Sequence, residues 1–370
     1  MSISKVSFNT KDRPEFYRTL NQRVNAYFKE NDLSKHADGN MKFKTAFMLV
    51  LYTVPLVLML TGAVTGLWPI MVMWALMGLG MSGIGLSIMH DANHRSYSKN
   101  PKVNDALGFL LNYIGGYHIN WKIQHNVLHH SFTNIEGHDE DIETIIMRQA
   151  PGQERKYLHR FQAFYAPFFY GLMTFYWLVS KDFEQLVRYN KMGLLAGQNL
   201  TFRKALTQVI IYKVLYIALT LVLPIILVDL PWWQTLLGFL MMQYISGLIL
   251  ALVFQPAHVI EETEFYTPSD TGSVENNWAI HQLMTTANYA RGNRALSWFI
   301  GGLNYQIEHH LFPTICHVHY RNISPIVQQT AEEYGIPYQE HRSFYSALKS
   351  HFSLLHSLGT GRYDQEMALT

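Results

Sequence analysis

The stretch TAFMLVLYTVPLVLMLTGAVTGLWPIMVMWALMGLGMSGIGLSIMH, residues 45–90, contains no Asp, Glu, Lys or Arg. One membrane-crossing helix needs about 20 apolar residues. This run therefore has room for a helix out, a turn at Gly66-Leu67-Trp68-Pro69 and a helix back. A second run, 214–260, carries Asp229 as its single charge, with a turn at Asp229-Leu230-Pro231-Trp232-Trp233. The two runs predict spans near 45–64, 67–89, 209–228 and 233–256.

Composition agrees. Of 370 residues, 15% are charged and 14% aromatic, against about 25% charged in a typical soluble domain. The net charge of +2 matters less than its distribution, because all 29 Lys and Arg lie outside the two runs. Positive residues stay on the cytoplasmic side and Trp favours the interface, so both turns should face away from the cytoplasm. The expected fold is an all-α membrane protein. Four transmembrane helices form two hairpins, under a cytoplasmic helical cap. The expected divisions are a cytoplasmic N-terminal arm (1–44), a membrane domain (45–320) and a cytoplasmic C-terminal tail (321–370). The uncharged segment Phe161–Ser180, flanked by Arg160 and Lys181, reads as an interfacial helix broken near Pro167. Residues 105–117 read the same way. The charged N-terminus lacks the apolar core of a signal peptide. Cys316 is the only cysteine, so no internal disulfide can form. Gly78-Leu79-Gly80-Met81-Ser82-Gly83 fits G-x-G-x-x-G but lies inside a span with no strand before it. It reads as a small-residue face for close helix packing.

Three histidine boxes stand at the ends of these segments: His90-Asp91-Ala92-Asn93-His94, His125-Asn126-Val127-Leu128-His129-His130 and Gln306-Ile307-Glu308-His309-His310. On a helix, residues four apart share a face, which pairs His90 with His94 and His125 with His129 and turns His130 toward a neighbouring surface. Two short turns bring all three boxes to the cytoplasmic side. Seven neutral nitrogen donors exceed the three or four ligands one zinc takes, and two ions sharing the set would use them. Imidazole suits zinc, copper, iron and nickel. A nearly all-nitrogen site against lipid suits oxygen activation on a lipid chain. Asp91 and Glu308 are candidates to orient the imidazoles. His36, His159, His341, His351 and His356 read as surface or core histidines.

The boxes resemble those of the membrane fatty-acid desaturases. The likeness extends to Asn134 and Gly137-His138-Asp139, to Trp278, His281-Gln282 and Thr286, and to Gly302-Leu303-Asn304-Tyr305 before Gln306-Ile307-Glu308-His309-His310-Leu311-Phe312-Pro313. It covers roughly 85 to 320. Gln306, where many members have His, resembles the front-end branch. The resemblance implies an oxygen-dependent acyl desaturase with two iron ions and O2 as co-substrate. The ligands it implies are His90, His94, His125, His129, His130, His309 and His310. A further histidine is needed between the fourth span and the last box. His258 is the first choice and His281 the second, with Asn277 able to hold a metal-bound water. Gln306 stands on a ligand position, and an amide is a poorer ligand than imidazole.

The His-Pro-Gly-Gly haem signature of a fused cytochrome b5 is absent from the first 44 residues and from those after 320. Electrons would then come from a separate cytochrome b5 or ferredoxin with its reductase. The implied substrate is a fatty acyl chain, as a CoA thioester or lipid-linked, met in membrane lipid; no nucleic acid is expected. The location is the bacterial inner membrane or endoplasmic reticulum, with the active site facing the cytoplasm. A di-iron lipid hydroxylase is the nearest alternative. A membrane zinc hydrolase would leave four box histidines unused, and a metal transporter would carry ionisable groups at mid-membrane depth.

Overall fold

The computed structural model describes residues 6–267 and 272–368; the start of the N-terminal arm and the last two residues of the tail lie outside the described residues. The chain is mostly helical. Its described strands are two-residue parallel pairings, Ser7–Phe8 with Ser273–Val274 and Asn288–Tyr289 with Glu340–His341. Four helices are long and apolar enough to cross a membrane: Gly39–Leu60, Leu67–Asn93, Phe202–Leu227 and Trp232–His258. Each runs past an expected limit at one end or both, and in the first and third the N-terminal cap lies further out. Asp38 accepts from the Met41 N–H and starts the first helix early, as Thr201 does for the third through Lys204. The second passes through a π-helical segment, Ile84–Met89, before ending at the first box.

The chain divides into two compact units. The first holds residues 37–123 and 168–251. Its helices present Phe43, Phe47, Val50, Val54, Ile210 and Val214 outward and bury Tyr52, Trp74, Met77, Phe239 and Met242. The glycines of the G-x-G-x-x-G stretch are packing positions. A Cβ on Gly80 would lie 2.6 Å from the Tyr52 nitrogen, and one on Gly78 would lie 2.9 Å from the Met242 carbonyl oxygen. Any side chain there would force the helices apart.

Lys213 is buried within the third apolar helix. Its ammonium donates to Asp182 Oδ2 (2.6 Å) and to the Trp177 and Gly115 carbonyls (2.8 and 3.1 Å). Asn120 Nδ2 donates to the Asp182 carbonyl at 2.7 Å. This satisfied ion pair fixes the short helix His118–Trp121, which leads directly into the second box. The 161–180 segment differs from expectation. Helix Gln162–Gly171 continues through Pro167, and the break falls at Leu172. There the backbone is crowded: a Cβ on Gly247 would sit 2.6 Å from the Gly171 carbonyl oxygen.

The second unit holds the described residues up to 36, residues 124–167, and residues from 252 onward. The N-terminal arm is part of its core. Helix Glu15–Glu30 buries Phe16, Leu20, Val24 and Phe28, one residue per turn, against Ile307, Leu311, Phe312, Ile323 and Val327. Tyr17 Oη donates to the Leu311 carbonyl (3.4 Å), Arg23 pairs with Glu333 (2.7 Å), and the Lys35 carbonyl accepts from the Cys316 N–H (2.8 Å). The tail is integrated too. In helix Phe344–Thr360, His351 Nδ1 donates to the Val259 carbonyl at 2.7 Å.

Candidate metal centre

In the first unit, the π-helical turn delivers His90 and His94 at the end of the second apolar helix. Their ring centroids are 4.8 Å apart, and the Trp121 ring lies 5.5 and 5.9 Å from them. Ser96 locks the turn by donating through N and Oγ to the Asp91 carbonyl (2.9 and 3.0 Å). Asn93 Nδ2 donates to the Gly108 carbonyl.

The second unit carries the other boxes. Lys122–His129 is π-helical, and a π turn brings residues five apart into line. His130 therefore does not turn away, as α-helical spacing predicts. Its Nε2 lies 3.2 Å from His125 Nε2 and 2.9 Å from His309 Nε2. His125 and His129 stack at 5.4 Å. Ligand atoms of His130, His309 and His310 lie within 4.8 Å of one another, as do those of His129, His258 and His310. His258, the last residue of the fourth apolar helix, thus joins the boxes. Phe254, one turn earlier, places its ring 5.0 Å from both His129 and His258.

Each of four rings is held from behind through Nδ1. His129 Nδ1 meets Asp139 Oδ2 at 3.0 Å, His258 Nδ1 the Thr285 carbonyl at 3.2 Å, His309 Nδ1 the Tyr320 hydroxyl at 3.2 Å, and His310 Nδ1 the Gln282 Oε1 at 2.8 Å. In each ring this leaves Nε2 as the inward nitrogen. His129 Nε2 and His258 Nε2 are buried and make no well-formed hydrogen bond. Burial alone would raise the Asp139 carboxyl. The His129 ring and the Asn134 and Asp141 N–H groups outweigh it and hold the carboxyl below its ordinary range.

The remaining predicted residues lie differently. His281 is not in these groups: its Nε2 meets the Thr133 carbonyl at 2.8 Å, its ring packs on Tyr266 and Phe8, and burial lowers its pKa to about 4. The Asn277 side chain caps helix Trp278–Met284 through the Ala279 N–H (3.0 Å). Gln306 lies beside His258, and its buried Oε1 accepts no well-formed hydrogen bond. Glu308 does not hold an imidazole. Its carboxylate accepts from Asn288 (2.8 Å) and Tyr338 (2.7 Å), and burial raises its pKa.

The fatty acid desaturase family model matches residues 66–342. The chain belongs to the fatty acid desaturase family. The chain is 35% identical to an sn-1 linoleoyl-lipid 6-desaturase of Arthrospira platensis, with 96% of this chain and 95% of that protein covered. It is 34% identical to the protein of the same name from Synechocystis, covering 93% and 95%. An acyl-lipid (8-3)-desaturase of Physcomitrium patens is 34% identical, with 94% of this chain and 72% of that protein covered. The chain is thus a membrane oxidoreductase that desaturates fatty acyl chains.

The desaturase's buried histidine groups fit a metal centre. The donor set is imidazole, and two Nε2 atoms 2.9 Å apart cannot both be unprotonated acceptors without a proton or cation between them. Sequence reasoning missed the residues behind the rings, and Phe254 and Trp121 beside them. Gln282 belongs to the family-like stretch, and Asp139 follows the second box closely. Tyr320 and the Thr285 carbonyl left no signal.

Proposed function

We propose that this desaturase holds two iron ions through His90, His94, His125, His129, His130, His258, His309 and His310, and uses O2 to place a double bond in a lipid-linked acyl chain. Two irons would supply the oxygen-activating redox chemistry. Everything else is the work of the chain. Asp139, Thr285, Tyr320 and Gln282 fix the tautomer and angle of four rings. Phe254 and the buried surroundings keep water from the reacting carbons. An alkyl chain offers no charge to grip, so the shape of its path and the anchoring of its head group select the carbon. Gln306, beside His258, is the weak amide donor where a ninth imidazole would stand.

The observation that carries this reading is the pair of three-histidine groups in the second unit, each with its ligand atoms within 4.8 Å, with ring nitrogens oriented from behind. His90 and His94 complete the set as first-box ligands, in line with the family pattern. The lipid-linked substrate rests on the two relatives of the same name, which align over almost the whole chain. The distribution of Lys and Arg supports two hairpins with the site on the cytoplasmic face. Electrons come from a separate cytochrome b5 or ferredoxin with its reductase. The membrane is a bacterial inner membrane or endoplasmic reticulum.

The test uses the full-length protein in nanodiscs with an electron donor, offered the same acyl chain as a glycerolipid and as a CoA thioester. The expected product is the glycerolipid minus two hydrogens. Turnover of the CoA thioester alone would overturn the substrate, and addition of one oxygen would favour the hydroxylase.

A further inference from the structure

We propose that one face of the second unit, formed by Ile145, Ile146, Tyr157, Leu158, Phe161 and Phe164, is seated in the headgroup–acyl boundary of the bilayer, with Arg155, Lys156 and Arg160 against anionic headgroups. Phe164 is 91% exposed and Ile145 84%. The other four are exposed as well. Among the described residues, most other runs of exposed large apolar side chains lie on or beside the four membrane-crossing helices. A monomer rarely shows such a patch to water, and a patch of this kind marks a binding surface.

The face is held firmly from below. His159, Gln162 and Ala166 point inward and are buried. Gln162 Nε2 donates to the Leu355 and Arg148 carbonyls at 2.6 and 2.8 Å. A Cβ on Gly359 would collide with the His159 carbonyl. Tyr165 Oη donates to the Ile146 carbonyl at 2.7 Å, tying the Ile145–Ile146 loop to the same helix. The inner side of the segment is thus already committed to packing and hydrogen bonds within the unit, and its apolar outer side is left needing a cover.

Charge and composition select the cover. Between 145 and 168 the acidic residue is Glu154, against Arg148, Arg155, Lys156 and Arg160. Arg148 is committed to Asp364 (2.8 Å), and Arg155 also donates to the Thr360 carbonyl at 2.6 Å. The Arg160 guanidinium lies 4.1 Å over the Tyr157 ring and 6.0 Å from the Phe161 ring, a cation held on the aromatic side chains of the patch. Aromatic rings rimmed by Arg and Lys are what an interfacial segment presents to anionic lipid. The surface reaches upstream of Phe161, where the uncharged segment itself begins.

The full-length protein in phosphatidylcholine–phosphatidylglycerol nanodiscs tests this, with spin labels on Phe164→Cys, Leu158→Cys and the exposed helix position Lys349→Cys; Cys316 is buried. Labels at 164 and 158 should relax with oxygen and be shielded several-fold from a water-soluble nickel chelate, and the label at 349 should behave oppositely. Nickel access at 164 and 158 equal to that at 349 would overturn the proposal. Shielding from both reagents would overturn it in favour of a second copy of this chain. The R155A/K156A/R160A variant should raise nickel access at 164 in anionic discs but not in purely zwitterionic ones. An equal response in both would overturn the headgroup assignment.

Discussion

A histidine ring can donate or accept at either nitrogen, and what sits behind it decides which faces inward. Here Asp139, the Thr285 carbonyl, Tyr320 and Gln282 make that choice for His129, His258, His309 and His310. Asp139→Asn keeps the shape but loses the charge, and should lower iron affinity or turnover by roughly 10–100-fold. Anaerobic iron titration alongside product assay measures both, and unchanged values would remove Asp139 from this role. The boxes themselves were legible because His-His pairs at the ends of apolar runs are rare. Their supports were not. Gln282 is 28 residues from His310 and Tyr320 is 11 from His309, so tertiary folding alone joins them. Glu308 illustrates the converse: adjacent in sequence to His309, it turns to Asn288 and Tyr338 instead.

At the scale of elements, period decided what could be foreseen. The 3.6-residue period placed His125 with His129 and sent His130 elsewhere, but the Lys122–His129 helix is π-wound and gathers all three. No residue type announces a π turn. The stripe Phe16, Leu20, Val24, Phe28 did carry an α-helical period, and it packs the arm onto the segment of the third box. Leu20→Ala should cost about 2–5 kcal/mol, read as a lower unfolding temperature in detergent; no change would mean the arm contributes nothing. In helix Phe344–Thr360, burial lowers His351 to about 4. It stays neutral in the fold and takes a proton when unfolded below about 6.5. Its stabilisation is therefore complete above that pH and lost as pH falls toward 4, on the order of 3 kcal/mol. Unfolding temperatures at pH 7 and 5 should differ by less in His351→Asn, which keeps a donor but does not titrate. An identical pH response in both proteins would assign the effect to other groups.

For the molecule as a whole, the charge-free runs foretold four apolar helices to within a few residues at most ends, since hydropathy over about 20 residues is a strong constraint. The exceptions are the starts of the first and third, at Gly39 and Phe202, and Lys213 lies inside the third. The charges of Lys42, Lys44, Arg203 and Lys204 hid those starts from a search for uncharged runs, while Asp182 and three carbonyl acceptors from elsewhere in the first unit make the burial of Lys213 and Asn120 tolerable. The division into an arm, a membrane domain and a tail rested on polarity along the chain. Polarity says nothing of which polar segments pack together, and the arm and tail share a core with the third box.

The central claim is that the buried imidazoles of this desaturase hold two irons. The most direct measurement is the iron and zinc content of the full-length protein, purified from zinc-depleted medium, beside His129→Ala and His310→Ala. About two irons per chain, falling in both variants while the protein stays folded, is the predicted result. One zinc with little iron, or iron content unmoved by either substitution, would contradict it.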